Sequence, residues 1–159
     1  MFSFKVLVDA DSCPKKVREH IALSAARQEF KAVFAANREI VVGQKSAWCS
    51  CVVCVSEKDS ADNYLFAEAE ENDIVVTRDI PFAARLVEKG ICVMNDRGFV
   101  FTKYNIQDKL MERAFNMNLS EIGFASKNKK TYYGDKEFAK FSACFDTEVE
   151  KRLAFRAAN

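Results

Sequence analysis

Phe4-Lys5-Val6-Leu7-Val8-Asp9-Ala10-Asp11-Ser12-Cys13-Pro14 is the stretch on which the fold turns. Its apolar run, Phe4–Val8, stops abruptly at the carboxylate of Asp9, as a short buried strand does at its end. Pro14 then suits the first turn of a helix, with Ser12 or Cys13 at the capping position and an apolar face reaching about Glu29. One strand followed at once by one helix is the first half of a βαβ unit.

The same alternation continues downstream. Lys31–Ala36 predicts a second strand ending at Asn37, and Ile40–Ser46 a loop or short edge segment. Trp48–Val55 predicts a third strand. Asp59-Ser60-Ala61-Asp62 opens a helix to about Glu71. Asp73–Thr77 predicts a fourth strand, apolar on both faces through Ile74-Val75-Val76. Asp79 caps the next helix, Pro81 is tolerated in its first turn, and Gly90 ends it. Ile91–Met94 predicts a fifth strand and Phe99–Thr102 a short β segment. Helices are expected over Ile106–Met117 and Lys136–Ala154, with an exposed loop across 123–133.

Short apolar strands alternating with helices predict an α/β fold on a parallel sheet. Right-handed crossovers gather the strand-to-helix turns at one edge of that sheet. In open α/β sheets this edge is where ligands bind.

The chain has 159 residues, enough for a core without staples. Lys and Arg number 24 against 23 Asp and Glu, a net charge of +1 that argues against binding nucleic acid by bulk charge. The distribution is uneven. Residues 1–102 carry 13 basic and 15 acidic side chains, whereas residues 103–159 carry 11 and 8. Lys127, Lys129 and Lys130 supply much of that excess.

The opening Met1–Asp9 is too short and interrupted for a signal peptide. No apolar stretch approaches the ~20 residues that span a bilayer. A cytoplasmic location is therefore expected, with the cysteines at 13, 49, 51, 54, 92 and 144 as reduced thiols. Cys51 and Cys54 form a C-x-x-C without the second ligand pair a zinc site needs, on a stretch that reads as strand. They are expected to pack in the core as small hydrophobes.

Three turns at the ligand-binding edge carry aspartates: Asp9-Ala10-Asp11, Asp59-Ser60-Ala61-Asp62 and Thr77-Arg78-Asp79. Asp is a favoured N-cap, which accounts for any one of them alone. It does not account for Asp9, which precedes the cap of its helix, nor for Asp59 and Asp62 together. Carboxylates crowded on one edge repel unless a cation neutralises them. Hard oxygen donors point to Mg²⁺ or Mn²⁺. Nucleotide-binding Gly-rich motifs are missing, and His20 as the single histidine leaves no Ser-His-acid arrangement.

Val8-Asp9-Ala10-Asp11-Ser12-Cys13-Pro14 resembles the opening signature of the bacterial YaiI/YqxD family. So do Ala36-Asn37, Asp59-Ser60-Ala61-Asp62-Asn63 and Asp73-Ile74-Val75-Val76-Thr77-Arg78-Asp79-Ile80-Pro81-Phe82-Ala83. Asn95-Asp96-Arg97-Gly98 resembles the family's Asn-Pro-Arg-Gly turn with Asp in place of Pro. The likeness runs through Tyr104, Ile106, Leu110 and Arg113 and thins after about Gly123.

That family is grouped with PIN-like domains, many of them Mg²⁺- or Mn²⁺-dependent ribonucleases. The resemblance implies a Rossmann-like, PIN-like three-layer sandwich with a mainly parallel five-stranded sheet of order 3-2-1-4-5 and C-terminal helices. A single domain over 1–159 is expected, its core spanning about 4–117. Asp9, Asp62 and Asp79 are the expected metal ligands, with Asp11 or Asp59 ligating or orienting water. Asn37, Arg78 and Arg97 are expected at phosphate, and Lys127, Lys129 and Lys130 along an RNA backbone. Two other readings compete: a non-catalytic binding module, and a haloacid-dehalogenase-type phosphatase using Asp9-Ala10-Asp11. The latter lacks the Thr or Val expected where Cys13 stands, and the later acidic pair.

Overall fold

The computed structural model describes residues 3–42, 46–123 and 132–159. Its strands are β1 (Lys5–Asp9), β2 (Lys31–Ala36), β3 (Cys49–Val53), β4 (Ile74–Val76), β5 (Cys92–Met94) and β6 (Val100–Phe101). The helices are α1 (Lys15–Gln28), α2 (Ser60–Glu68), α3 (Ile80–Glu88), α4 (Ile106–Glu121) and α5 (Asp135–Ala158). The sheet order is β3-β2-β1-β4-β5-β6, with every neighbouring pair parallel except β5 and β6.

The expected order of the first five strands is therefore the observed one, and the sheet gains a sixth strand. It arises because the chain reverses at once after β5. The Asn95 N–H donates to the Phe99 carbonyl at 2.9 Å, while the Asn95 Oδ1 accepts from the N–H groups of Arg97 and Phe99. Gly98 completes the reversal at φ +76°, a conformation that disfavours a side chain.

Strand residues alternate between two apolar cores. Val6, Val8, Phe34, Ile74 and Val76 face α1 and α5, meeting Val17, Ile21, Phe141, Phe145 and Val149. Leu7, Ala35, Val75 and Val93 face α2 and α3, meeting Leu65, Phe82 and Leu86. Full burial of each large apolar side chain stabilises the fold by about 1.5–3 kcal/mol. Parity has a consequence at the strand ends. Val8 points to the α1/α5 layer, so Asp9 leans toward α2 and α3, and Thr77 after Val76 leans the same way.

The cysteine expectation needs correction. β3 lies at the edge of the sheet, so Cys51 is exposed and Cys49 and Cys54 are only half-buried. Val53 beside them is 54% exposed. The apolar run misleads because an edge strand is covered less than an interior one. Pro14, extended at φ −59° and ψ 147°, occupies the cap position of α1, and no side chain caps that helix.

His20 pairs with Asp146 at 2.8 Å, tying α1 to α5. At the opposite end of the strands, the buried Asp73 accepts from the backbone N–H groups of Lys5 and Glu70 and sits 2.7 Å from Lys5 Nζ. Among the described residues no helix is long and apolar enough to cross a membrane.

Candidate active site

The helix following β1 lies on one face of the sheet and the helices following β3 and β4 on the other. The seam between β1 and β4 is thus the switch point, where the two loops diverge and leave a crevice. Asp9 ends β1 on one side of this seam. Across it, the Thr77 hydroxyl donates to Asp9 Oδ2 at 2.9 Å, and the Thr77 oxygen accepts from the Asp79 N–H at 3.1 Å.

Asp79 begins α3, where its Oδ1 accepts from the Phe82 N–H at 2.9 Å. The helix cap is therefore real, and it fixes the carboxylate at the crevice while leaving its second oxygen out of that bond. Asp59 occupies the corresponding place before α2 but caps nothing. Its backbone is left-handed, at φ +62°. Asp62 lies one turn into α2.

Asp9, Asp59, Asp62 and Asp79 interact electrostatically. Partial burial, then repulsion from Asp9, Asp79 and Asp59, pushes the Asp62 carboxyl up to about 7, against a pull from Arg85. Burial also raises Asp9. The Thr77 hydrogen bond opposes that rise, and the charges of Asp11 and Asp79 add to it. Asp59, Asp62 and Asp79 line a cavity of about 270 Å³, rimmed by Lys58, Arg85 and Arg113.

Among the described residues no group of three or more His, Cys, Asp or Glu side chains is arranged to hold a metal ion directly. The donor chemistry nonetheless suits one kind of ion. Mg²⁺ keeps several of its waters and is commonly held through one or two carboxylates.

Asp11 has a different setting. Its Oδ2 accepts from the Asn37 backbone N–H at 2.9 Å, and its Oδ1 lies 3.6 Å from Arg38 Nε. The Asn37 side-chain oxygen accepts from the Ser60 hydroxyl at 2.9 Å. Asp11 and Asn37 therefore knit together the loops after β1, β2 and β3.

Arg78 reaches the 2% exposed Asp96, with Nε 2.5 Å from Oδ2 and Nη2 also in contact. Arg97 lies 3.8 Å from Glu137 and donates to the Tyr132 carbonyl at 3.2 Å. Both guanidinium groups are held by protein partners, yet both residues line a second, larger cavity of about 550 Å³. Its other wall is α4, which contributes Lys109 and Arg113. Arg113 thus borders both cavities. Lys127, Lys129 and Lys130 lie outside the described residues.

Lys58, Arg85, Lys109 and Arg113 are the positions that the spacing of turn residues did not single out. Their available signal was helical. Lys109, Arg113, Asn116 and Ser120 recur at three- or four-residue intervals on α4 as a polar stripe beside Ile106 and Leu110, which meet the core.

Comparison with known proteins agrees over nearly the whole chain. The family described as "Uncharacterized BCR, YaiI/YqxD family" matches residues 7–151. A "UPF0178 protein" of Treponema denticola is 41% identical over 152 residues, 96% of each chain. A "UPF0178 protein" of Syntrophobacter fumaroxidans is 37% identical over 149 residues, covering 94% of this chain and 96% of its own. One of Treponema pallidum is 40% identical over 146 residues, covering 92% and 81% respectively. No solved structure matches.

Proposed function

Since the chain belongs to the YaiI/YqxD family, we propose that it is a Mg²⁺- or Mn²⁺-dependent phosphodiesterase acting on RNA or another nucleic acid. The observation that carries this reading is the gathering of Asp59, Asp62 and Asp79 on one cavity next to the switch point where Asp9 ends β1, a setting in which partial burial and then the neighbouring carboxylates push Asp62 up to about 7. A bound dication would offset the part of that rise that comes from carboxylate repulsion. The family's grouping with PIN-like domains supports the same chemistry, as does the sheet order.

Asp9 and Asp79 are the residues expected to hold the ion, with Asp62 completing the set through direct or water-mediated contact and Asp59 orienting water. A bound metal would supply a water of lowered pKa and offset charge on the scissile phosphate. The chain's own groups do the rest. Thr77 favours the ionised form of Asp9 and aims its second oxygen away from the hydroxyl. A bound ion would favour the ionised form of Asp62, so its binding would be coupled to proton release. Arg85 and Arg113 on the rim would meet the non-bridging oxygens of the substrate.

The test is cleavage of an end-labelled single-stranded RNA with Mn²⁺, paired with calorimetric titration of Mn²⁺. Wild-type protein should bind the ion and cleave, while Asp9→Asn and Asp79→Asn should each lose at least about a hundredfold in rate. Absence of Mn²⁺ binding, or full cleavage by both variants, overturns the proposal.

A further inference from the structure

A second cavity accompanies the acidic one. It lies beside it, between the β5–β6 reversal and α4, and has about twice the volume, 550 against 270 Å³. Its composition is unlike the acidic cluster. Arg78, Arg97, Lys109 and Arg113 bring cationic groups to it, the first three paired with Asp96, Glu137 and Glu112 respectively, and Ile80 and Met117 bring apolar surface.

Two arrangements keep this cavity open and charged. The first is the polarity of α4. A helix facing a sheet edge normally presents an apolar stripe. The α4 stripe toward the cavity is Lys109, Arg113, Asn116 and Ser120, and only Ile106 of this helix is fully buried. Polar side chains of this kind face a space that holds water or a ligand rather than a packed core. The second is the anchoring of the opposite wall. Asp96 is buried and clamps Arg78, and Tyr133 donates its hydroxyl to the Asp96 carbonyl at 2.6 Å. Arg97 is steadied by Glu137 and the Tyr132 carbonyl and lies over the Tyr133 ring, its guanidinium carbon 5.6 Å from the centroid. Cationic groups held in place lose less freedom on meeting an anion.

From this geometry we infer that the cavity is a nucleotide subsite, taking the phosphate of a nucleotide between Arg97 on one wall and Arg113 on the other and its base against Ile80 and Met117. The inference rests on the phosphodiesterase reading for its role: Arg113 borders both cavities, so a strand whose scissile phosphate lies at the aspartates would place a neighbouring nucleotide here. A duplex would have to unstack to do this, so the substrate segment is single-stranded. Glu112 and Asp96 on the same lining offset part of its positive charge, so contact with the base has to supply part of the affinity.

Binding of adenosine 5′-monophosphate, measured by calorimetry in EDTA, tests the subsite without a metal. Arg113→Ala alters an exposed α4 side chain and leaves the core intact, and an unchanged Tm verifies this. The nucleotide should bind wild-type protein, and Arg113→Ala should weaken it by about tenfold. Inorganic phosphate should bind at least about tenfold more weakly than the nucleotide. Failure of the nucleotide to bind, equal affinity in Arg113→Ala, or equal affinity for phosphate alone overturns the inference. The readout is separable from cleavage. Nucleotide binding by a protein that takes up no Mn²⁺ sinks the phosphodiesterase reading and leaves the subsite, whereas Mn²⁺-dependent cleavage without nucleotide binding does the reverse.

Discussion

Thr77 and Asp9 are hydrogen-bonded across the seam between two parallel strands, hydroxyl to carboxylate, at 2.9 Å. The same hydroxyl oxygen accepts from the Asp79 N–H at 3.1 Å, so one buried side chain sets the position of two candidate ligands.

Thr77→Val keeps the volume and deletes both bonds. It leaves a partly buried carboxylate without its donor and the Asp79 N–H without its acceptor. We expect a loss of about 1–3 kcal/mol in denaturant unfolding. The Asp9 pKa should rise further, because the bond that opposes burial is gone. Mn²⁺ affinity at pH 6 should fall more than at pH 8, which separates this role from a merely structural one.

Asp62→Asn should stabilise the metal-free protein, and only at high pH. The folded-state pKa of about 7 stands above the ordinary 3.8, so the folded chain binds the proton more tightly. The corresponding penalty is nil below about pH 4, grows as pH rises through the window between the two values, and is complete above pH 7. Solvent screening around this partly exposed group reduces the effect to about 1 kcal/mol, or roughly 3 °C in Tm. Thermal melts at pH 4 and pH 8 should show no difference at the lower pH and the increase at the higher. A uniform shift at both values would exclude charge repulsion as its cause.

Mn²⁺ in hundredfold excess over its dissociation constant should raise the unfolding free energy by about 2.7 kcal/mol. The shift should vanish in Asp79→Asn, which keeps the helix cap because the Asn oxygen still accepts from the Phe82 N–H. EDTA should return wild-type protein to its starting Tm.

Gly98→Ala and Gly90→Ala differ in environment, though both positions have positive φ. A Cβ at Gly98 would lie 2.3 Å from the Lys140 carbonyl oxygen, whereas one at Gly90 would meet nothing within 4 Å. Gly90→Ala should cost about 1 kcal/mol from backbone strain alone. Gly98→Ala must also push α5 away from the turn before β6, and a loss above about 3 kcal/mol is expected in urea unfolding. Similar losses for the two would show that α5 yields freely.

How much of this was readable beforehand followed burial. The interior strands β1, β2 and β4 were legible because they are covered on both faces and admit little but apolar side chains. β3 has a similar run, Trp48 to Val55, but lies at the edge, and nothing local in those residues distinguishes the two positions. Asp9 and Asp79 were legible because strand ends and helix starts are punctuated. The same punctuation places Asp11, which the structure finds joined to the Asn37 and Arg38 loop. Arg113 and Lys109 were illegible as site residues because their partner wall is the reversal at Asn95–Gly98, whose packing against α4 depends on tertiary structure.

The long α5 helix has one more implication, for the order in which the protein can be made. A chain emerges from the ribosome N-terminus first. The β1–β5 sheet and the layer formed by α2 and α3 can assemble from residues already synthesised, but Phe141, Phe145 and Val149 arrive last and close the opposite face. Until then α1 alone shields Val6, Val8, Phe34 and Ile74. Until α5 docks, the nascent protein therefore has one half-covered sheet face, although the residues of its acidic crevice have all been synthesised.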